Sequence, residues 1–209
     1  MTDSAQPHTN SPAESLLPQS PRAYLSAAAW MRYLIPAALG VIADLWLKSW
    51  AFPAGVPTSG LAEAGRHPAI ADGLRQDPLP IIPHVLGFTT TVNQGAVFGL
   101  AQGHVPLFLA FSVLALGIII WVFLTSRANQ RIVHLALGLI TAGAIGNVYD
   151  RAMFQGVRDM LKFYVDWYPY IFNIADALLC VGVPLLIIRW MFVKDPAEKS
   201  GPGFDISSK

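Results

Sequence analysis

Thr141-Ala142-Gly143-Ala144-Ile145-Gly146-Asn147-Val148-Tyr149-Asp150 closes a long apolar segment and leaves an aspartate three residues after an asparagine at its end. The same spacing returns at Asn173-Ile174-Ala175-Asp176, where another apolar segment begins. An ionisable side chain at membrane depth costs about 2.5 to 3.5 kcal/mol, so a carboxylate kept there is a functional candidate. Residues at i and i+3 share a helix face, and two such faces turned toward each other would gather two amides and two carboxylates. The small residues from Ala142 to Gly146 would let a neighbouring helix approach to backbone contact, which is their structural role.

Composition assigns the class. Of the 209 residues, 54% are hydrophobic and only 13% charged, with a mean hydropathy of +0.46, more apolar than an ordinary soluble domain. A net charge of +1 without a Lys/Arg run argues against nucleic-acid binding. The single cysteine, Cys180, excludes an intrachain disulfide and reads as a buried packing residue.

Four apolar segments, about 33–52, 105–125, 132–149 and 171–193, are long enough to cross roughly 30 Å of hydrocarbon. The expected fold is an all-α membrane protein of four transmembrane helices, with a small extracytoplasmic β element and a short interfacial helix. Residues 1–23, rich in Ser, Pro and Ala, read as a disordered tail without the apolar core of a signal peptide. The membrane domain covers 24–194 with a long outer loop over 53–104, and 195–209 reads as a mobile tail. Within the loop, the β-branched and aromatic run from Gly87 to Val92, followed by Asn93-Gln94-Gly95, predicts short strands and a turn.

Arg22, Arg32, Arg127, Arg131, Arg189, Lys194 and Lys199 fall on one side of the membrane and Arg66, Arg75, Arg151, Arg158 and Lys162 on the other. That bias favours cytoplasmic termini. Alternating spans then put the end of the first helix, the start of the second, the end of the third and the start of the fourth on one extracytoplasmic face, where every motif falls.

Two carboxylates at close range in a low dielectric share a proton, so one can accept a proton from water while the other donates to a carbonyl. Asp150 and Asp176 are the expected pair, with helix capping the structural alternative, above all for Asp176 near a helix start. Asp44 and Lys48 at i, i+4 predict an ion pair, substrate contact being the other reading. Arg151 is a candidate for binding phosphate or a substrate carbonyl, or for snorkelling to headgroups. Trp167, Tyr168 and Tyr170 read as an interfacial aromatic belt. His8, His67, His84, His104 and His134 lack ligand spacing, so neither a metal nor an organic cofactor is expected.

These residues resemble, in order along about 33–193, the motifs of the lipoprotein signal peptidases, or signal peptidase II, of bacterial membranes. Asp44 and Lys48 are similar to the family's first-helix pair, and Asn93, Gly95 and Phe98 to its Asn-x-Gly-x-x-Phe loop. Gly146, Asn147, Asp150 and Arg151 resemble Gly-Asn-x-x-Asp-Arg, while Phe172, Asn173, Ala175 and Asp176 match Phe-Asn-x-Ala-Asp. The resemblance implies an intramembrane aspartic endopeptidase of the inner membrane that removes the signal peptide from prolipoproteins, cutting before a diacylglyceryl-modified cysteine. Asp150 and Asp176 would hold the water, Asn147 and Asn173 would orient them, and Asn93 and Arg151 would hold the substrate backbone. The partners expected are the prolipoprotein and membrane lipid, with the enzyme a monomer. A small ion or proton transporter is the rival reading, disfavoured because the segment from Leu107 to Phe123 is nearly all apolar. Val157-Arg158-Asp159-Met160-Leu161 resembles the family's Val-Val-Asp-Phe-Ile strand but departs from it at Arg158 and Met160. The stretch from Ala54 to about Pro83 is longer than the resemblance requires.

Overall fold

Four helices among the described residues are long and apolar enough to cross a membrane: α1 (Ala27–Ala51), α2 (Val105–Thr125), α3 (Arg131–Phe154) and α4 (Ile174–Phe192). The computed structural model describes residues 20–52, 79–93, 104–165 and 170–192. Gly95, Phe98, Trp167, Tyr168, most of the long loop and nearly all of both tails lie outside the described residues. A 3-10 turn at Ala23–Leu25 precedes α1, whose first turn is capped by Ser26 accepting from the Ala29 amide at 3.3 Å. Helix α2 carries a proline in its first turn, where the missing N–H costs nothing. Helix α3 ends on Gln155 in the left-handed conformation, with φ of 56°.

Helix α3 is the innermost element, flanked by α1, α2 and α4. Its small residues permit this. A Cβ on Gly143 would strike the Ala175 carbonyl of α4, and one on Gly138 would lie 2.5 Å from the Tyr33 carbonyl of α1. Ala142, fully buried, packs on Gly40 of α1. At the far end of the bundle Phe123 stacks on Tyr33 with ring centroids 4.5 Å apart and meets Trp30 and His134 edge-on, joining α1, α2 and α3. The outer faces carry Leu39, Ile42, Phe111, Leu114, Ile118 and Ile188, all exposed, as suits helices whose solvent is lipid. Cys180 belongs to that outer face: it is exposed on α4 and does not fill the buried position read from the sequence. In a bilayer an apolar position need not face protein.

An antiparallel sheet in the order β1 (Leu79–Ile82), β2 (Leu86–Asn93), β3 (Val157–Phe163) and β4 (Ile171–Phe172) closes the end where α1 and α3 finish and α4 begins. Strand β3 is the most deeply buried: Val157 to Met160 are all buried, and it pairs with β2 through Thr91 opposite Asp159 and Asn93 opposite Val157. Met160 and Phe52 form a small core under the sheet, joined by Leu47, Phe88, Val92 and Phe154. The strand expected after Gly87 is therefore present as β2, and the end of the unexplained insertion supplies its edge partner β1. Helix α3 runs past the expected Tyr149 to Phe154, while the fourth span starts only at Ile174 because Ile171 and Phe172 pair with β3.

Candidate active site

All four carboxylates of the described residues, Asp44, Asp150, Asp159 and Asp176, gather at the sheet end of the bundle. They come from α1, α3, β3 and α4. The predicted Asp44–Lys48 pair forms at 2.7 Å with both side chains fully buried, and the Ala175 amide of α4 donates to the other Asp44 oxygen at 2.9 Å. A Cβ on Gly146 would collide with the Asp44 carboxylate, which explains the glycine in this turn of α3.

Asp150 is engaged on both oxygens. One accepts from the Arg158 amide at 2.9 Å and from Lys48 Nζ at 3.2 Å; the other accepts from Arg158 Nε at 3.2 Å and Nη2 at 2.8 Å. Arg158 is itself held between aromatic faces, its guanidinium 4.1 Å from the Phe154 ring centroid and 5.8 Å from that of Phe52. Asp44, Lys48, Asp150 and Arg158 thus form a buried group of two anions and two cations, neutral as a whole. Such a group satisfies its own charges at membrane depth and ties β3 to α1 and α3.

Asp176 takes a different partner from the one the twin motif suggests. Asn173 caps α4 by accepting the Asp176 amide on Oδ1 at 2.9 Å, and Asp176 Oδ2 accepts the Asn173 amide at 3.4 Å, a reciprocal capping arrangement. The Asn173 side-chain amide then donates to Asp159 Oδ1 at 2.6 Å. One asparagine therefore links the two carboxylates Asp159 and Asp176. Asn147 completes the net: its Nδ2 donates to Asp176 Oδ1 at 2.8 Å, while its Oδ1 accepts from Asn173 Nδ2 at 3.2 Å and Lys48 Nζ at 3.3 Å.

Burial and accessibility divide the pair. Asp159 is 2% exposed and Asp176 is partly open. Burial, followed by the negative charge of Asp176, holds the Asp159 carboxyl well above the usual carboxylate range. Arg151 donates to the Asn147 carbonyl at 3.4 Å and lies 5.7 Å from the Phe108 ring centroid of α2, where its charge acts foremost on Asp176. Asn93 ends β2 beside Val157, two residues from Asp159 along β3.

The structure thus brings together Asn147, Asn173, Asp176 and Arg151, and seats Asp44, Lys48 and Asp150 in the neutral group beside them. Gly95 and Phe98 lie outside the described residues. The residue that the twin spacing missed is Asp159. Its sequence signal is its place in Val157-Arg158-Asp159-Met160-Leu161, the stretch that resembles the family's Val-Val-Asp-Phe-Ile strand.

A family described as Signal peptidase (SPase) II matches residues 36–192. A lipoprotein signal peptidase of Geobacillus thermodenitrificans (strain NG80-2) is 38% identical over 123 residues, covering 58% of this chain and 77% of the relative. One from Shouchella clausii (strain KSM-K16) is 40% identical over 111 residues, covering 53% and 72%. Two solved structures described as bacterial membrane enzymes share the fold, with TM-scores of 0.62 and 0.61 at 23% and 24% identity, covering 92% and 85% of this chain and 100% and 99% of theirs. With its four spans, its sheet-capped carboxylates and a match across most of its length, the chain belongs to the signal peptidase II family of membrane aspartic peptidases.

Proposed function

We propose that the enzyme cleaves prolipoproteins before a diacylglyceryl-modified cysteine, using Asp159 and Asp176 as its acid and base. The observation that carries the assignment is Asn173, whose side-chain amide donates to Asp159 Oδ1 and whose backbone amide donates to Asp176 Oδ2, while Asp150 has both oxygens occupied by Lys48 and Arg158. A catalytic carboxylate must reach water or a carbonyl, and four donors around Asp150 leave it no such opening. Its part is structural: it holds Arg158, and hence the neighbouring Asp159, in place.

Burial, together with the neighbouring Asp176 charge, biases Asp159 toward its protonated form and suits it to the acid role. Asp176, partly open and held by the Asn147 amide, is the base and takes a proton from the attacking water. Protonated Asp159 donates to the scissile carbonyl as the tetrahedral centre forms, and the roles reverse as the amine leaves. The two carboxylates titrate as a pair throughout. Asn147 and Asn173 fix the carboxylate orientations, and the Arg151 guanidinium with the end of β2 holds the substrate backbone.

Location supplies the lipid selectivity. A diacylglyceryl cysteine keeps its chains in the bilayer, so the peptide bond beside it meets a site set where the helices end. Among the described residues Arg22, Arg32, Arg127, Arg131 and Arg189 lie at the far end and every carboxylate at the site end. That asymmetry supports a cytoplasmic far end and an extracytoplasmic site. Both proposed catalytic groups come from one chain, so a monomer suffices.

The test is a gel-shift cleavage assay on a diacylglyceryl-modified prolipoprotein with purified wild type, Asp159→Asn and Asp176→Asn. Cleavage by wild type alone is the expected result. Turnover by either variant would remove that aspartate from the dyad.

A further inference from the structure

At the end remote from the aspartates, a groove of about 570 Å³ lies along α1 and α3. Its walls are apolar and membrane-facing: Met31 and Ile35 on α1, Ile132 and Leu135 on α3, all exposed. Two cations, Arg32 and Arg131, stand in it, one from each helix. The Ala128 carbonyl in the turn after α2 accepts from Arg32 Nη1 at 2.9 Å, so that guanidinium is positioned by the fold with its other donors to spare. Arg131 opens α3, is exposed, and its side chain has no protein acceptor among the described residues.

From this we infer that the groove binds one anionic phospholipid, its phosphate between Arg32 and Arg131 and an acyl chain along Ile35 and Leu135. Three observations converge on that occupant. The walls match hydrocarbon and would be wet only outside a bilayer. The mouth presents two positive charges that meet no described carboxylate, since all four of those lie at the other end of the bundle. The cations come from helices whose ends mark the headgroup level, the depth at which a phosphate sits when its chain lies along the helix. A zwitterionic lipid fits the walls equally but brings an ammonium group to the two guanidinium groups, and an apolar transmembrane helix would leave both charges without a partner.

Each basic residue near a membrane surface strengthens binding of an anionic headgroup by about fivefold, which makes two worth on the order of 25-fold. The experiment is native mass spectrometry of the delipidated full chain in neutral detergent, titrated with phosphatidylglycerol or with phosphatidylcholine of the same chains. Expected is a single phosphatidylglycerol bound at roughly 25-fold lower concentration than phosphatidylcholine. Arg131→Gln, which breaks no protein contact, lowers that preference about fivefold, and Arg32→Gln/Arg131→Gln abolishes it. Leu135→Trp, which fills the groove, reduces uptake of both lipids while leaving prolipoprotein cleavage in detergent intact. Equal affinity for the two lipids overturns the inference, as does an Arg131→Gln protein with an undiminished preference. So does a dimer peak that phosphatidylglycerol fails to disperse and that Leu135→Trp dissociates, because it would seat a second copy in the groove.

Discussion

Asp150→Asn separates a structural from a catalytic aspartate, and its effect can be sized from the contacts. In the wild type two carboxylates and two cations balance within a buried group, with Lys48 to Asp44 at 2.7 Å, Lys48 to Asp150 at 3.2 Å and Arg158 to Asp150 at 2.8 Å. The amide keeps the shape but deletes one negative charge, so Lys48 retains Asp44 while Arg158 is left without a counter-ion. Removing one member of a buried pair costs about 3 to 5 kcal/mol. For a chain of this size each kcal/mol moves the unfolding midpoint by roughly 2 to 4 °C, so the loss should be roughly 6 to 20 °C. The assay is thermal unfolding in detergent followed by tryptophan fluorescence, with cleavage measured well below the variant's midpoint. There, residual activity should persist in the folded fraction. Adding Arg158→Met removes the stranded cation and should recover more than half of the lost stability, because an apolar side chain over Phe52 and Phe154 is tolerated there. An Asp150→Asn protein that unfolds within 2 °C or so of wild type yet cuts nothing would refute the structural role and restore Asp150 to the chemistry.

Asp159→Asn should do the reverse, abolishing cleavage without loss of fold. Because the Asp159 carboxyl is held above its ordinary range in the folded state, its own contribution to stability is fully present below the ordinary carboxylate range and is lost as pH rises through that raised value. The neutral variant should lack this decline, which unfolding midpoints across a pH series will read; a parallel decline in both proteins would assign it to another group. Gly143→Ala should part α3 from α4, since the added methyl meets the Ala175 backbone carbonyl, which cannot swing aside as a side chain can. A destabilisation of about 1 to 3 kcal/mol with lowered activity is expected from thermal unfolding and cleavage assays, and an unchanged midpoint would show that the helices separate at no cost.

The four spans were legible in the sequence because length and apolarity alone decide whether a helix can cross a bilayer, and both are local properties. Their ends were less so. Nothing local distinguishes Ile171 and Phe172, which pair with β3, from the helix that starts two residues later behind the Asn173 cap. The polar cluster was legible as a cluster, since Asn147, Asn173 and Asp176 meet as the paired spacing implied. Its internal pairing was not. Whether an aspartate is neutralised depends on cations that arrive from elsewhere in the fold, and for Asp150 these are Lys48 from α1 and Arg158 from β3. Two identical spacings therefore concealed two different fates. Arg158, read as a departure from an apolar strand, is the residue that settles Asp150 into its ionic setting.

That the two proposed catalytic aspartates ride on separate elements has a consequence for biogenesis. Asp159 sits on a strand and Asp176 on the last helix, and the asparagines that aim them lie on α3 and at the head of α4. Until the final span has been inserted and the sheet has docked, the halves of the cutting centre are not in register. On the proposed dyad, a nascent chain would gain cutting activity only once its last span had joined the rest.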